Sequence, residues 1–114
     1  IFDQVYADLA HAPEFARPHA SPAGQARTLV VDSFSKTFGM TGWRLGFLGM
    51  PPGTARAIGR FMQHSVYCVP GFVQAAGLAA LSLEAELVPG YRARFQARQA
   101  RARDRLAAIP GVSC

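Results

Sequence analysis

The sequence predicts an α/β fold in which short strands come first and helices follow, and three observations carry that expectation. Thr28-Leu29-Val30-Val31-Asp32-Ser33 is a β-branched apolar run of strand length. From Thr54 onward, Ala57, Ile58, Phe61 and Met62 recur at three- and four-residue steps, the spacing of one helix face. Between them, Ser33 to Phe47 is rich in glycine and hydroxyl residues and holds the only lysine of the 114-residue chain, Lys36. Ligands of open α/β sheets gather beyond the carboxyl ends of the strands, which is where this run begins.

The elements follow in order. Ile1 to Tyr6 is a short apolar run with one acid, the profile of a strand end that delivers polar groups to a site. Residues 11–27, with Pro13, Pro18, Pro22 and Gly24, have the composition of a loop. After the 28–33 strand, Leu45 to Met50 reads as a second strand closed by Pro51-Pro52-Gly53. The helix beginning at Thr54 breaks at Pro70-Gly71, and Phe72 to Leu83 reads as an alanine-rich buried helix. Pro89 suits the first turn of another helix, where its missing N–H costs nothing. Tyr91, Phe95, Ala102 and Leu106 make the apolar stripe of that helix, and Pro110-Gly111 ends it. Val112 opens what reads as a further strand, and Met40 and Trp43 read as core residues. The chain begins on Ile1, so it is expected to be a piece of a longer protein.

Composition narrows the function classes. The formal net charge is +5, and much of the excess comes from Arg92, Arg94, Arg98, Arg101, Arg103 and Arg105. Apolar residues interleave those arginines and no nucleic-acid motif accompanies them, so a solvated helix face is expected and no nucleic-acid partner. Cys68 and Cys114 are too far apart for a metal-ligand pair and read as thiols of a reducing compartment, the cytoplasm. His11, His19 and His64 are scattered, so no metal is expected. No apolar run is long enough to cross a bilayer, and no membrane partner is expected.

The chemistry rests on Lys36. Every other basic residue is arginine, and only lysine supplies an amine that can lose its proton and attack a carbonyl. An amine condensed with an aldehyde makes a Schiff base, and pyridoxal phosphate is the common biological aldehyde held in this way. Such a group needs a forked cation and hydroxyls for its phosphate, a carboxylate at its pyridine nitrogen and a donor at its phenolic oxygen. Arg44 supplies the fork and Ser33 and Ser35 the hydroxyls, while Asp3 supplies the carboxylate and Tyr6 the donor. Each has a plainer reading. An isolated lysine is usually a surface residue, Arg44 could pair an acid, Asp3 could cap a turn, and Tyr6 could pack. Two serines alone mark a turn, and Gly39, Gly42 and Gly46 could merely relieve the backbone. The serines and glycines flanking Lys36 and the arginine eight positions on favour the chemical reading.

Ser33-Phe34-Ser35-Lys36-Thr37-Phe38-Gly39-Met40-Thr41-Gly42-Trp43-Arg44-Leu45-Gly46 resembles the lysine motif of the class I/II aminotransferases, the fold-type I pyridoxal-phosphate enzymes, and Asp3-Gln4-Val5-Tyr6 resembles their Asp-x-x-Tyr element. The resemblance implies the mostly parallel, three-layer large domain of such an enzyme, with 1–88 as a large-domain portion, 89–109 as the linking helix and 110–114 as the start of the small domain. It implies that Lys36 holds pyridoxal 5'-phosphate as an internal aldimine and then moves the substrate proton. It also implies that Asp3 binds the pyridine nitrogen, Tyr6 the phenolic oxygen, and Ser33, Ser35 and Arg44 the phosphate. Amino acid and 2-oxo acid substrates and a homodimer are implied with them. A carbon–sulfur β-lyase of the same fold, or a ligand-sensing domain of a transcription regulator, would keep the same residues; Ser35 before Lys36 argues against a decarboxylase. The family commonly has Asp-Glu where this chain has Asp3-Gln4, a change expected to matter little because the pyridine contact belongs to Asp3. Family members are far longer, so the 114 residues alone are expected not to transaminate.

Overall fold

Strand β1, Phe2–Asp3, lies parallel to β2, Val30–Ser33, with Phe2 opposite Val30 and Asp3 opposite Val31. The ladder continues for one bond past Asp3, from the Gln4 N–H to Val31 O at 3.0 Å. The computed structural model describes residues 1–10 and 16–113. A 3-10 turn at Ala7–Leu9 follows β1, and another at Pro18–Ala20 precedes the one-turn helix α1, Pro22–Gln25. The Ser21 hydroxyl caps α1 by accepting the Gly24 N–H, and Pro22 takes the first position, where no N–H is needed. The predicted 11–27 loop is therefore helical turns over its later part, and residues 11–15 lie outside the described residues.

The chain leaves β2 directly into a second one-turn helix, α2, Phe34–Thr37, and returns through a 3-10 turn at Thr41–Trp43 as β3, Gly46–Gly49. β3 runs antiparallel to β2, with Ser33 opposite Gly46 and Val30 opposite Gly49. The sheet is therefore mixed, in the order β1-β2-β3. A short link with no long helix favours an antiparallel return, whereas the longer β1–β2 connection can cross over to a parallel strand.

Helix α3 covers Pro52–Ser65, α4 covers Gly71–Ser82 and α5 covers Glu84–Ala107. Three expectations change here. Helix α5 begins five residues before Pro89, and Pro89 sits inside it. Glu84 and Glu86 in its first turn favour the earlier start by meeting the positive end of the helix dipole. The break falls instead between α4 and α5, whose axes differ by 78°. Helix α4 is apolar all round yet buries one face only, Val73, Gly77 and Ala80, with Phe72 71% and Leu78 70% exposed. Val112 lies in a turn, its N–H bonded to Ile109 O, and not in a strand.

The core gathers on Phe34. Its ring is 6% exposed, stacks on Phe38 at 5.5 Å between centroids and meets Phe47 edge-on at 6.2 Å. Gly77 of α4 packs against the end of the Leu45 side chain and the Phe34 ring, so a side chain there would have to displace the Leu45 methyl. On the other side α5 packs on the Ala7–Leu9 turn, where Ala7, Leu9 and Val88 are buried and the Arg92 Nε–H donates to Asp8 O at 2.8 Å. Among the described residues no single helix is long and apolar enough to cross a membrane.

Gly46 opens β3 where a Cβ would meet the Asp32 carbonyl oxygen at 2.7 Å, whereas one on Gly42 would meet nothing within 4 Å. Gly46→Ala is expected to lower stability by about 1–3 kcal/mol, the cost of forcing an atom into packed backbone. Gly42→Ala should stay within about 0.5 kcal/mol, as surface substitutions do. Urea denaturation of the two variants checks the contrast.

Candidate active site

The turn that carries Lys36 is built from Ser33 outward. Ser33 ends β2 in extended backbone, and its Oγ accepts the Ser35 N–H at 3.1 Å, which caps α2. The same hydroxyl donates to Leu45 O at 3.3 Å, so the start of α2 is tied to the residue before β3. Beyond α2, Gly39 takes φ +66°, and the Met40 N–H closes back onto Phe34 O at 3.3 Å. A left-handed residue just past a helix end is the usual place for glycine. Lys36 is the third residue of this braced turn, with an exposed side chain.

Lys36 faces a cavity of about 800 Å³. Tyr6, Ser35, Thr41, Tyr91 and Phe95 line it as well. The Lys36 Nζ stands 5.5 Å from the centre of the Tyr6 ring, within the range of a cation–π contact. Tyr6 itself is 60% exposed. The structure thus brings Lys36, Tyr6 and Ser35 together at the carboxyl end of the parallel pair.

The other expected site residues, Asp3, Ser33 and Arg44, do not line this cavity. Asp3 ends β1, and its Oδ1 accepts the Val5 N–H at 3.1 Å, closing the turn that leads to Tyr6. Ser33 lines a smaller neighbouring cavity of about 190 Å³ with Asp8 and Asp32. Arg44 lines a third cavity, of about 790 Å³, beside Trp43. Its backbone is left-handed, φ 52° and ψ 45°, a strain of roughly 1–2 kcal/mol for a residue with a Cβ. Its Nη1 donates to Thr41 O at 3.1 Å, which leaves the rest of the guanidinium fork for an anion. Trp43 is 45% exposed and tilts against Phe72 at 6.5 Å, so it is a surface residue here and not a core one.

A family model described as aminotransferase class I and II matches residues 1–114. The chain belongs to that family. It is 36% identical over 118 residues to an aspartate aminotransferase of Musicola paradisiaca, a match covering 100% of the chain and 29% of that protein. It is 38% identical over 96 residues to an aspartate aminotransferase of Thermococcus kodakarensis, covering 84% of the chain and 25% of that protein. An aromatic aminotransferase of Pyrococcus horikoshii has the same fold at a TM-score of 0.83 and 30% identity, over 92% of this chain and 29% of its own. The aspartate aminotransferase of Thermus thermophilus in complex with tryptophan aligns at a TM-score of 0.77 and 28% identity, over 92% and 27%. The chain therefore has the α/β, fold-type I architecture of the family and spans under a third of the length of these relatives.

Sequence reasoning placed Tyr91 and Phe95 on a packing stripe, yet both line the Lys36 cavity. Their four-residue spacing on one helix face was the available signal, but it does not say which surface that face meets. The polar contacts beneath the turn were also missed. Thr37, 4% exposed, donates from Oγ1 to Asp8 Oδ2 at 3.2 Å, and Gln4 Nε2 donates to Asp32 Oδ2 at 2.8 Å.

Because the Ser33 hydroxyl caps α2, Ser33→Ala is expected to cost about 0.5–2 kcal/mol of stability, whereas Ser33→Thr should cost less. Thermal denaturation of both variants would check this, and equal melting of Ser33→Ala and the parent would remove the cap from the account.

Proposed function

We propose that this chain is the lysine-bearing segment of a pyridoxal-phosphate-dependent aminotransferase that moves an amino group between an amino acid and a 2-oxo acid. The observation that carries the reading is the position of Lys36, the only lysine, on a braced turn at a cavity it shares with Tyr6 and Ser35. The residues fit the cofactor. The cavity of about 800 Å³ has room for a phosphorylated ring and offers an amine, a phenol and hydroxyls, and Arg44 holds spare guanidinium donors on the next turn.

In this reading Lys36 would hold the cofactor's aldehyde, Asp3 its pyridine nitrogen and Tyr6 its phenolic oxygen. Ser35 and Arg44 would hold the phosphate together with the Ser33 hydroxyl, which here is bonded to Leu45 O. When bound, the cofactor supplies an electron-withdrawing ring that stabilises negative charge on the substrate's α-carbon. The Lys36 Nζ would serve as the base at the substrate's α-carbon, a placed-base effect of about 10²–10⁴-fold. The Tyr6 ring fixes where that nitrogen can swing, and the cap on α2 holds the lysine backbone still while it does so.

Residues up to 88 belong in this reading to the large domain, 89–109 to the linking helix and 110–114 to the start of the small domain. The whole enzyme is a cytoplasmic homodimer. The free, exposed thiol of Cys68 suits a reducing compartment, and the exposed Phe61, Phe72 and Leu78 suit further burial. Aspartate and aromatic amino acids, which the relatives' names carry, are the first donors to assay.

Borohydride reduction of the full-length polypeptide with pyridoxal phosphate, followed by peptide mapping, is expected to place the label on Lys36; label on another residue would overturn the reading. Amino acids offered with 2-oxoglutarate should yield glutamate, whereas pyruvate and ammonia would indicate an elimination enzyme. Residues 1–114 alone should show no turnover. Arg44→Lys keeps the charge but loses the fork, and is expected to weaken cofactor binding by about tenfold or more, read by titration of absorbance.

A further inference from the structure

We infer that Gln4 is a positioning residue matched to Asp32, and that the pair sets the register between the two halves of the cofactor site. The inference rests on the proposed function for its consequence, and on three hydrogen bonds for its geometry.

The backbone ladder between β1 and β2 is short, covering Phe2 and Asp3 against Val30 and Val31. Beyond it the Gln4 side chain takes over. Gln4 Nε2 donates to Asp32 Oδ2 at 2.8 Å. The other carboxylate oxygen, Oδ1, accepts the Ser33 N–H at 2.6 Å. Ser33 Oγ in turn accepts the Ser35 N–H at 3.1 Å and so caps the helix bearing Lys36. Asp3 and Tyr6 stand on the β1 side of this chain of bonds, and Ser33, Ser35 and Lys36 on the β2 side. The clamp ties one set to the other where the strands part, alongside the Thr37–Asp8 bond further from the ladder.

The polarity of the clamp is fixed. Asp32 can only accept from its partners, so residue 4 must donate, and the amide does. The Gln4 Oε1 is buried without a hydrogen-bond partner among the described residues, so this side chain is held for the bond it donates. The surrounding charges make the choice stricter. Asp8, Asp32 and Glu84 all line the adjoining cavity of about 190 Å³, and Arg17 is its cation among the described residues. That guanidinium is already engaged, at 3.9 Å from Asp8 Oδ1. A glutamate at position 4, the residue the family commonly carries there, would put a carboxylate directly against Asp32 with no donor between them. Against the expectation that glutamine at this position matters little, in this chain the residue at position 4 must suit the carboxylate at position 32.

The test is a cycle of three variants in the full-length polypeptide: Gln4→Glu, Asp32→Asn and the double variant. Asp32→Asn alone should lose part of the clamp: the Gln4 amide must turn over to accept from the new amide while Oδ1 still takes the Ser33 N–H, and its own N–H donors then fill the buried, unpartnered place of Oε1. Gln4→Glu should weaken pyridoxal phosphate binding about tenfold and lower the melting midpoint of the cofactor-free protein. In the double variant the new amide at position 32 donates to the new carboxylate at position 4, and affinity should recover to within about threefold of the parent. Neutral Gln4→Glu would overturn the inference, as would a double variant no better than Gln4→Glu alone. Recovery of the melting midpoint without recovery of affinity would reduce the pair to a structural contact and also overturn the positioning role. If the parent itself fails to bind pyridoxal phosphate, the proposed function falls and the positioning role with it, and the melting cycle then decides separately whether the clamp exists.

Discussion

The Leu45 carbonyl is the point on which the lysine turn hangs. It accepts the Phe34 N–H at 3.1 Å and the Ser33 hydroxyl at 3.3 Å. Those two bonds close a loop of a dozen residues at its neck and so bring β3 back beside β2. The free N–H groups of a one-turn helix have little intrinsic stability to draw on, since the first turn is the costly one to form. Here the Ser33 cap, the Leu45 carbonyl and the left-handed Gly39 satisfy both ends from outside the helix. Lys36 is thus carried on backbone whose position is fixed by its neighbours and not by helix propensity.

Packing beneath the turn divides the work between apolar and polar contacts. Phe34 points into the sheet and α4, where Phe38, Phe47 and the open face of Gly77 receive it. Thr37, one turn further along, points to Asp8 with its hydroxyl bonded. A buried hydroxyl left without a partner would cost on the order of 1–3 kcal/mol, so the Thr37–Asp8 bond is what permits a polar residue at 4% exposure. Asp8 also presents its carbonyl to Arg92 of α5, so the turn, the β1 exit and the long helix meet at one residue. That junction brings Tyr91 and Phe95 over the cavity that Lys36 enters.

The strands and the lysine turn were readable because each has a local physical signature. A β-branched run reads as a strand wherever it packs, and a lone lysine among arginines, set between serines and glycines, states a chemical need by residue type alone. The start of α5 was misread because proline is favoured in a first turn yet also tolerated inside a helix that packing holds, and sequence does not tell these apart. The burial of α4 was misread for a related reason. A helix apolar on every side carries no record of which face meets the core.

Residue chemistry alone therefore established the class of fold, the candidate lysine and the kinds of partner its cofactor would need. It did so because amine reactivity, strand propensity and glycine conformations are properties of the residues and their immediate neighbours. The pairing of Gln4 with Asp32, the arrival of Tyr91 and Phe95 at the cavity, and the distribution of Arg44 and Ser33 to adjoining surfaces emerged only from the folded chain. Those contacts join residues tens of positions apart, and their geometry depends on strand register and helix docking, which no local pattern encodes.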